Sequence, residues 1–352
     1  MSLAVTVLKN SAVLLLFLLF ISCGTKNVFP YSQFPQEKEL KGEVIELDTA
    51  LFRYPFRIRI EGDKAIVLDL HGSDYYGHLF QYPSFRYLSS FGRRGDSPLE
   101  MLSMENFRLH NHTLWTLDAN KSELTRLDFS SSGDSLLREE TVALDEDILR
   151  PLDFAIYNDT TFVIPDYSGE SRFLKVDCKG KLIEKIGTIP TTNKKALQEA
   201  RPALAQAWRS FLDYNSHNSV LATVTQLGEV VEIYNLKDST HVIRVGEYDE
   251  PEFKVSDGYG IPTGIMGFSD VQVTDDAIYA VFHGTSFKDI ARQSGRLPDG
   301  GKYIYVFSLK GEPLCKYVLD HYIYGIWVDE VTKTIMATDV NNDQPILKFS
   351  FG

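Results

Sequence analysis

Four polar residues recur at one place in this chain. Arg57, Asn106, Asp153 and Asp270 each stand just before an apolar residue that opens a strand-like stretch, namely Ile58, Phe107, Phe154 and Val271; Gly325 holds the same place before Ile326. Three of the four carry side-chain oxygen, the donor that hard cations such as calcium take. The fourth is a guanidinium, suited to anions. Gathered at the mouth of a central channel, they would form a ring able to bind a polar ligand or a cation. The same ring would equally serve to hydrate the channel and hold its walls together, with Arg57 neutralising an acid.

Other candidates carry less chemistry. His110-Asn111-His112 offers two imidazoles but falls at a turn between two strands. Asp339-Val340-Asn341-Asn342-Asp343 starts like a calcium loop, yet Gln344 stands where that loop needs Gly and Ser350 where it needs a closing Glu. An Asx-type turn is the expectation there. Arg94-Gly95-Asp96 spells an adhesion tripeptide inside a link whose glycines are expected at positive φ. The chain has no Gly-x-Ser-x-Gly elbow, phosphate-cradling Gly-rich loop, Cys-x-x-Cys pair or His-Glu-x-x-His helix, so no catalytic residue and no metal ligand is assigned.

The elements that must position these residues repeat. Ala65-Ile66-Val67-Leu68-Asp69 is an apolar strand stopped by an acid, and it returns as 114–118, 162–166 and 335–339, ending on Asp118, Asp166 and Asp339. Looser copies are 279–283, ending on His283, and 222–226, ending on Gln226. A spacing of roughly 50 to 60 residues is that of one supersecondary unit repeated. Around each copy lie short strands rich in β-branched and aromatic residues, separated by turns such as Glu61-Gly62-Asp63 and Lys179-Gly180; these are antiparallel meanders. The acids are expected to cap turns by accepting backbone N–H bonds. Five units have four strands or an insertion in place of one. The sixth ends one short, and the orphan stretch Glu43–Leu47 supplies the missing strand, closing the ring with both termini. The expected fold is therefore an all-β, six-bladed β-propeller over residues 42–352. One helix, from about Asn193 to Leu212 and kinked or split at Pro202, is expected between blades 3 and 4.

Composition agrees with a large packed domain: 43% hydrophobic and 12% aromatic residues in 352. A net charge of -12 repels phosphate backbones, which excludes nucleic acid as a partner class. Residues 1–22 read as a signal peptide, with Lys9 before the apolar run 12–21. Phe20-Ile21-Ser22-Cys23 is similar to a bacterial lipoprotein processing box, with Phe20 where Leu is usual, so Cys23 is expected to be acylated. Residues 23–41, polar with Pro30 and Pro35, read as a lipid tether. Cys178 and Cys315 lie in non-neighbouring units and are expected to be free thiols.

The link Phe91-Gly92-Arg93-Arg94-Gly95-Asp96-Ser97-Pro98-Leu99-Glu100 resembles the Phe-Gly-x-x-Gly-x-x-Pro-x-Glu connector that ends a blade in TolB-like or NHL-like six-bladed propeller lipoproteins. The resemblance implies the fold and export over residues 40–352; it leaves activity open, because propellers host unrelated functions. Parity places the site. In a four-stranded antiparallel blade, the strand 2–3 and strand 4–1 connections share one face, and every large insertion here belongs to that set: 193–212, 246–266, 284–301 and the 91–100 link. Enlarged loops on one side of a rigid scaffold are where binding resides. Trp208, Arg209 and Tyr259 are the expected loop-face binding residues. The leading expectation is a non-catalytic, monomeric lipoprotein of the cell envelope, held at the outer membrane by its lipid alone, that binds a protein or glycan and needs no cofactor. The rival is a calcium-dependent hydrolase, similar to propeller lactonases, using Asn106, Asp153 and Asp270.

Overall fold

A computed structural model describes residues 27–48, 51–292 and 297–352. Six sheets stand around an axis. Blade 1 runs Pro55–Glu61, Lys64–Asp69, Tyr75–Gln81, Arg86–Arg93; blade 2 Met104–His110, Thr113–Asp118, Glu123–Phe129, Leu136–Ala143; blade 3 Ala155–Asn158, Thr161–Pro165, Phe173–Asp177, Leu182–Ile186. Blade 4 runs Ser210–Asn215, Val220–Thr225, Val230–Asn235, Thr240–Val245, and blade 5 Phe268–Val273, Ala277–Phe282, Gly301–Ser308, Pro313–Ile323. Blade 6 takes Ile326–Asp329, Thr334–Thr338 and Ile346–Ser350, and its outer strand is Glu43–Ile45, with Ile45 opposite Ile346 and Glu43 opposite Lys348. The orphan strand thus closes the ring as expected.

The second strands are the most deeply buried, because each lies inside its own sheet with a neighbouring blade on either face; all of Val220–Thr225 is buried. Large aromatics fill the seams between blades: Phe80, Phe107, Phe154, Phe162, Phe173, Phe282, Phe307 and Phe349 are fully buried. Each such ring contributes about 1.5–3 kcal/mol of transfer free energy. The repeated acids do cap turns. Asp118 accepts from the amides of Leu102, Ser103, Asn120 and Lys121, and Asp69 from those of Arg53, Tyr54 and His71. In the 91–100 link Gly95 has φ +155° and the Glu100 carboxylate lies where a Cβ would stand, so only glycine fits. Cys178 and Cys315 are both free thiols.

Two expectations need correction, the tether and the C-terminal end of the helix. The segment 24–41 is not a plain tether: Asn27–Pro30 adds a fifth, parallel strand outside Thr240–Val245 of blade 4, and Glu37–Leu40 does the same outside blade 5. Between them Tyr31 is buried edge-on against Phe34, Tyr305 and Phe307. Outer strands are half solvated, so their polar composition reads as a linker. The insertion 193–212 is split near Pro202, as expected, into α1 (Lys194–Glu199) and α2 (Arg201–Ala207), which break at Ala200. Its last residues, from Ser210, are the innermost strand of blade 4. A third helix, α3 (Phe287–Arg292), sits in the blade 5 connector. His110-Asn111-His112 is a hairpin turn with Asn111 and His112 at φ 50° and 58°, the signature of a type I′ turn.

Candidate functional site

The recurring polar residues meet at the axis, below the surface. The inner strands of blades 1, 2 and 5 shift register just ahead of Arg57, Asn106 and Asp270, and a bulge of this kind turns a side chain inward. Arg57, Asn106 and Asp270 are 0% exposed and Asp153 1%. They form two clusters instead of an open ring. In one, Asp270 takes a very short bond from Arg57 Nη1 and a 3.0 Å bond from Arg59, plus the Val271 and Ile326 amides at 2.8 and 2.9 Å. In the other, Asp153 accepts from Asn106, from Arg108 at 2.7 Å, and from the Phe154 and Leu212 amides at 2.8 and 3.0 Å. Burial alone would raise the Asp270 carboxyl, but Arg57 and Arg59 outweigh it and hold the group below the ordinary carboxylate range. Burial lowers Arg57 to about 10. Its guanidinium lies 5.1 Å from the Phe56 ring centroid and 4.8 Å from that of Phe211.

These residues do not fit calcium. Every oxygen of Asp153 and Asp270 already accepts from an arginine, an amide or both, and three guanidiniums surround the pair, so a divalent cation would meet like charge with no free ligand. The clusters fasten blade 1 to blades 5 and 6, and blade 2 to blades 3 and 4. Arg59 and Arg108, missed in the sequence, follow Arg57 and Asn106 by two residues; a strand's period of two puts them on the same face.

The loop face is open where the channel is plugged. The insertions between blades 3 and 4 and between blades 4 and 5 touch: the Gly260 amide donates to Gln206 Oε1 at 3.1 Å, joining α2 to the hairpin Phe253–Ser256/Tyr259–Pro262. Between them and blade 3 lies a cleft of about 340 Å³ with Tyr167, Arg209, Leu152 and Pro262 in its lining. A smaller pocket of about 70 Å³, the neck, adjoins it, sharing Arg209 and Leu227 and lined also by Gln226, Phe211 and Tyr324. A third pocket of about 290 Å³, beside α3 and Asp299, shares Met266 and His283 with the neck. Tyr54 fixes this far wall by donating to Asp299 at 2.5 Å, and burial is the main cause raising the Tyr54 hydroxyl far above its ordinary value. Burial also pulls His283 down to about 4, so its ring is neutral at pH 7. Tyr324 rises to about 12 for the same reason.

The three expected loop-face residues separate. Arg209 lines both the cleft and its neck. Tyr259 stands 57% exposed at the hairpin tip above it. Trp208 is not available to a ligand, a correction: it is 1% exposed, in the core of the insertion under Arg172. Arg172 in turn pairs with buried Glu232, which Tyr234 also contacts; although burial opposes it, Arg172 holds that carboxyl at about 2. The cleft residues missed in the sequence had left a trace. At the strand-end position where four units carry Asp, blades 4 and 5 carry Gln226 and His283, and these two line the neck.

A closed ring of six sheets with a plugged axis and one cleft-bearing face defines a six-bladed β-propeller of the loop-decorated kind. Residues 33–331 match the TolB-like 6-blade propeller-like family, and the chain belongs to it. No curated protein matches the sequence. Among solved structures it is similar to a protein of Bacteroides fragilis NCTC 9343 described as exported, at 12% identity and TM-score 0.57, covering 92% of this chain and 99% of the other. An auxiliary nutrient binding protein from Bacteroides ovatus ATCC 8483 aligns at 10% identity and TM-score 0.53, over 85% and 70% of the two chains. A DUF4221 family member from Bacteroides vulgatus ATCC 8482 aligns at 10% identity and TM-score 0.55, over 90% and 96%. At these identities the likeness is one of fold.

Proposed function

We propose that the protein is an exported, lipid-anchored, non-catalytic propeller that captures a protein or glycan partner at the outer cell envelope through its loop-face cleft. The observation that carries this reading is the convergence of α2, the 253–262 hairpin and the blade 5 connector on one face, where they line three adjoining pockets. The fold is shared with an exported protein and with an auxiliary nutrient binding protein, which supports export and capture as the theme. Topology supports an outward-facing cleft as well. Asn27–Pro30 runs parallel to Thr240–Val245, the strand that climbs toward the loop face, so its first residue lies on the plain-face side. A lipid on Cys23, four residues earlier, would draw the plain face to the membrane and leave the cleft pointing away.

The test compares the intact protein with a variant whose residues 253–262 are replaced by a short Gly-Ser link, folding of both being checked by circular dichroism. Envelope extract and soluble glycans are passed over each. Retention lost in the variant supports the reading; equal retention by both contradicts it. Cys23→Ser should move the protein from the membrane to the soluble fraction, and a membrane-bound variant would remove the anchor from the reading.

A further inference from the structure

The cleft has a chemistry of its own. The chain is acidic by twelve charges, yet among the described residues the lining of the 340 Å³ cleft contains Arg150 and Arg209 and no carboxylate. Leu149, Leu152, Leu227, Pro202 and Pro262 supply apolar walls, and the one amide side chain there, Gln206, already accepts from Gly260. Arg209 Nε is buried without a hydrogen-bond partner. The Tyr167 hydroxyl, in the same lining on a residue 8% exposed, is likewise buried without one. Arg209 lines both the cleft, with Tyr167, and the neck, with Tyr324. Elsewhere the buried arginines at the core of this protein have their acids: Arg57 and Arg59 have Asp270, Arg108 has Asp153, Arg172 has Glu232.

A buried N–H or O–H left unpaired is costly, and two residues carrying such groups in the lining of one cleft mark the place of an absent acceptor. We infer that the cleft binds an organic carboxylate on an apolar body, its oxygens on Arg209 and Tyr167 and its hydrocarbon against the leucine and proline walls. A guanidinium fork matches a carboxylate in two parallel bonds. The walls favour a hydrocarbon over a sugar, which would ask for flat aromatic platforms and more hydrogen-bonding groups. A free acid and the C-terminus of a peptide ending in an aliphatic residue present the same group. This inference rests on the binding reading above and narrows it to one end of the cleft.

Saturation-transfer NMR on the full mature protein tests it with four probes at millimolar concentration: N-acetyl-leucine, its amide, a tetrapeptide ending in leucine with a free C-terminus, and D-galacturonate. Transfer to the leucine methyls of the acid, with the amide weaker by roughly tenfold or more, is the expected result. Arg209→Met should erase the difference between acid and amide, Arg209→Lys should restore part of it, and Tyr167→Phe should narrow it with the fold intact. If the tetrapeptide binds at least tenfold tighter than the free acid, the carboxylate is a peptide terminus; equal binding makes it a free acid. Equal binding of acid and amide, no transfer to either, or an acid preference that survives Arg209→Met overturns the inference. Binding of D-galacturonate alone overturns the apolar-body assignment while leaving capture by the loop face standing.

Discussion

The amide of Gly260 donates to Oε1 of Gln206 across 3.1 Å, and through that bond two insertions 54 residues apart become one wall. Neither insertion has a sheet of the propeller to complete. What they share is a face, dictated by strand parity, and a cleft that neither would make alone.

The axial clusters should matter for stability and not for binding. Asp270→Ala leaves Arg57 and Arg59 buried without their acid. Loss of one partner of a buried ion pair costs about 3–5 kcal/mol. Denaturant unfolding should show a loss of that order, and Asp153→Ala a similar one through Arg108.

Trp208 and Arg209 are neighbours in sequence and opposites in role. Trp208→Ala empties a fully buried site in the insertion and should cost about 3–5 kcal/mol. Arg209→Ala removes a side chain with no internal partner, so unfolding should change by under about 1 kcal/mol. Parallel melts of the two variants check this.

Stability should fall with acid in two windows. His283 is held neutral, with its folded value lowered from 6.5 to about 4 by burial, so its contribution is complete above about pH 6.5 and lost as pH falls toward 4. Glu232, lowered from 4.5 to about 2 by Arg172 against burial, contributes above about pH 4.5 and loses that as pH falls toward 2. His283→Gln should flatten the upper window and leave the lower one. Melting temperature against pH reads both.

The N-terminal arm separates a tether from a structural element. A deletion of residues 27–40 uncovers the outer edges of blades 4 and 5 and the pocket that holds Tyr31. The melting temperature should drop and aggregation rise, since bare edges template pairing. A simple tether could be cut without either effect.

Much of this molecule is legible in its residues. The strand-end acids of four units, each capping a turn, and the looser copies ending on Gln226 and His283 reveal six units, and the orphan stretch reveals the closure at Glu43–Ile45. What is hidden has physical reasons. Asn27–Pro30 and Glu37–Leu40 pair only with outermost strands, bury little, and so lack the alternation that marks a strand. Ser210-Phe211-Leu212 continues the apolar spacing of α2, which disguises the start of blade 4 as helix. Arg57 and Asp270 stand 213 residues apart, and nothing local states that they pair across the axis. Trp208 has the look of an exposed loop aromatic; only the folded insertion shows that it faces inward.

Site-specific photocrosslinking in intact cells tests the loop face most directly. A photoreactive amino acid is placed at Tyr259, above the cleft, and separately at His112, in a plain-face turn, both being exposed. Capture through the decorated face predicts a discrete adduct from position 259 that a twofold excess of unlabelled protein reduces, and none from position 112. An adduct from position 112 alone, or equal adducts from both, would contradict it.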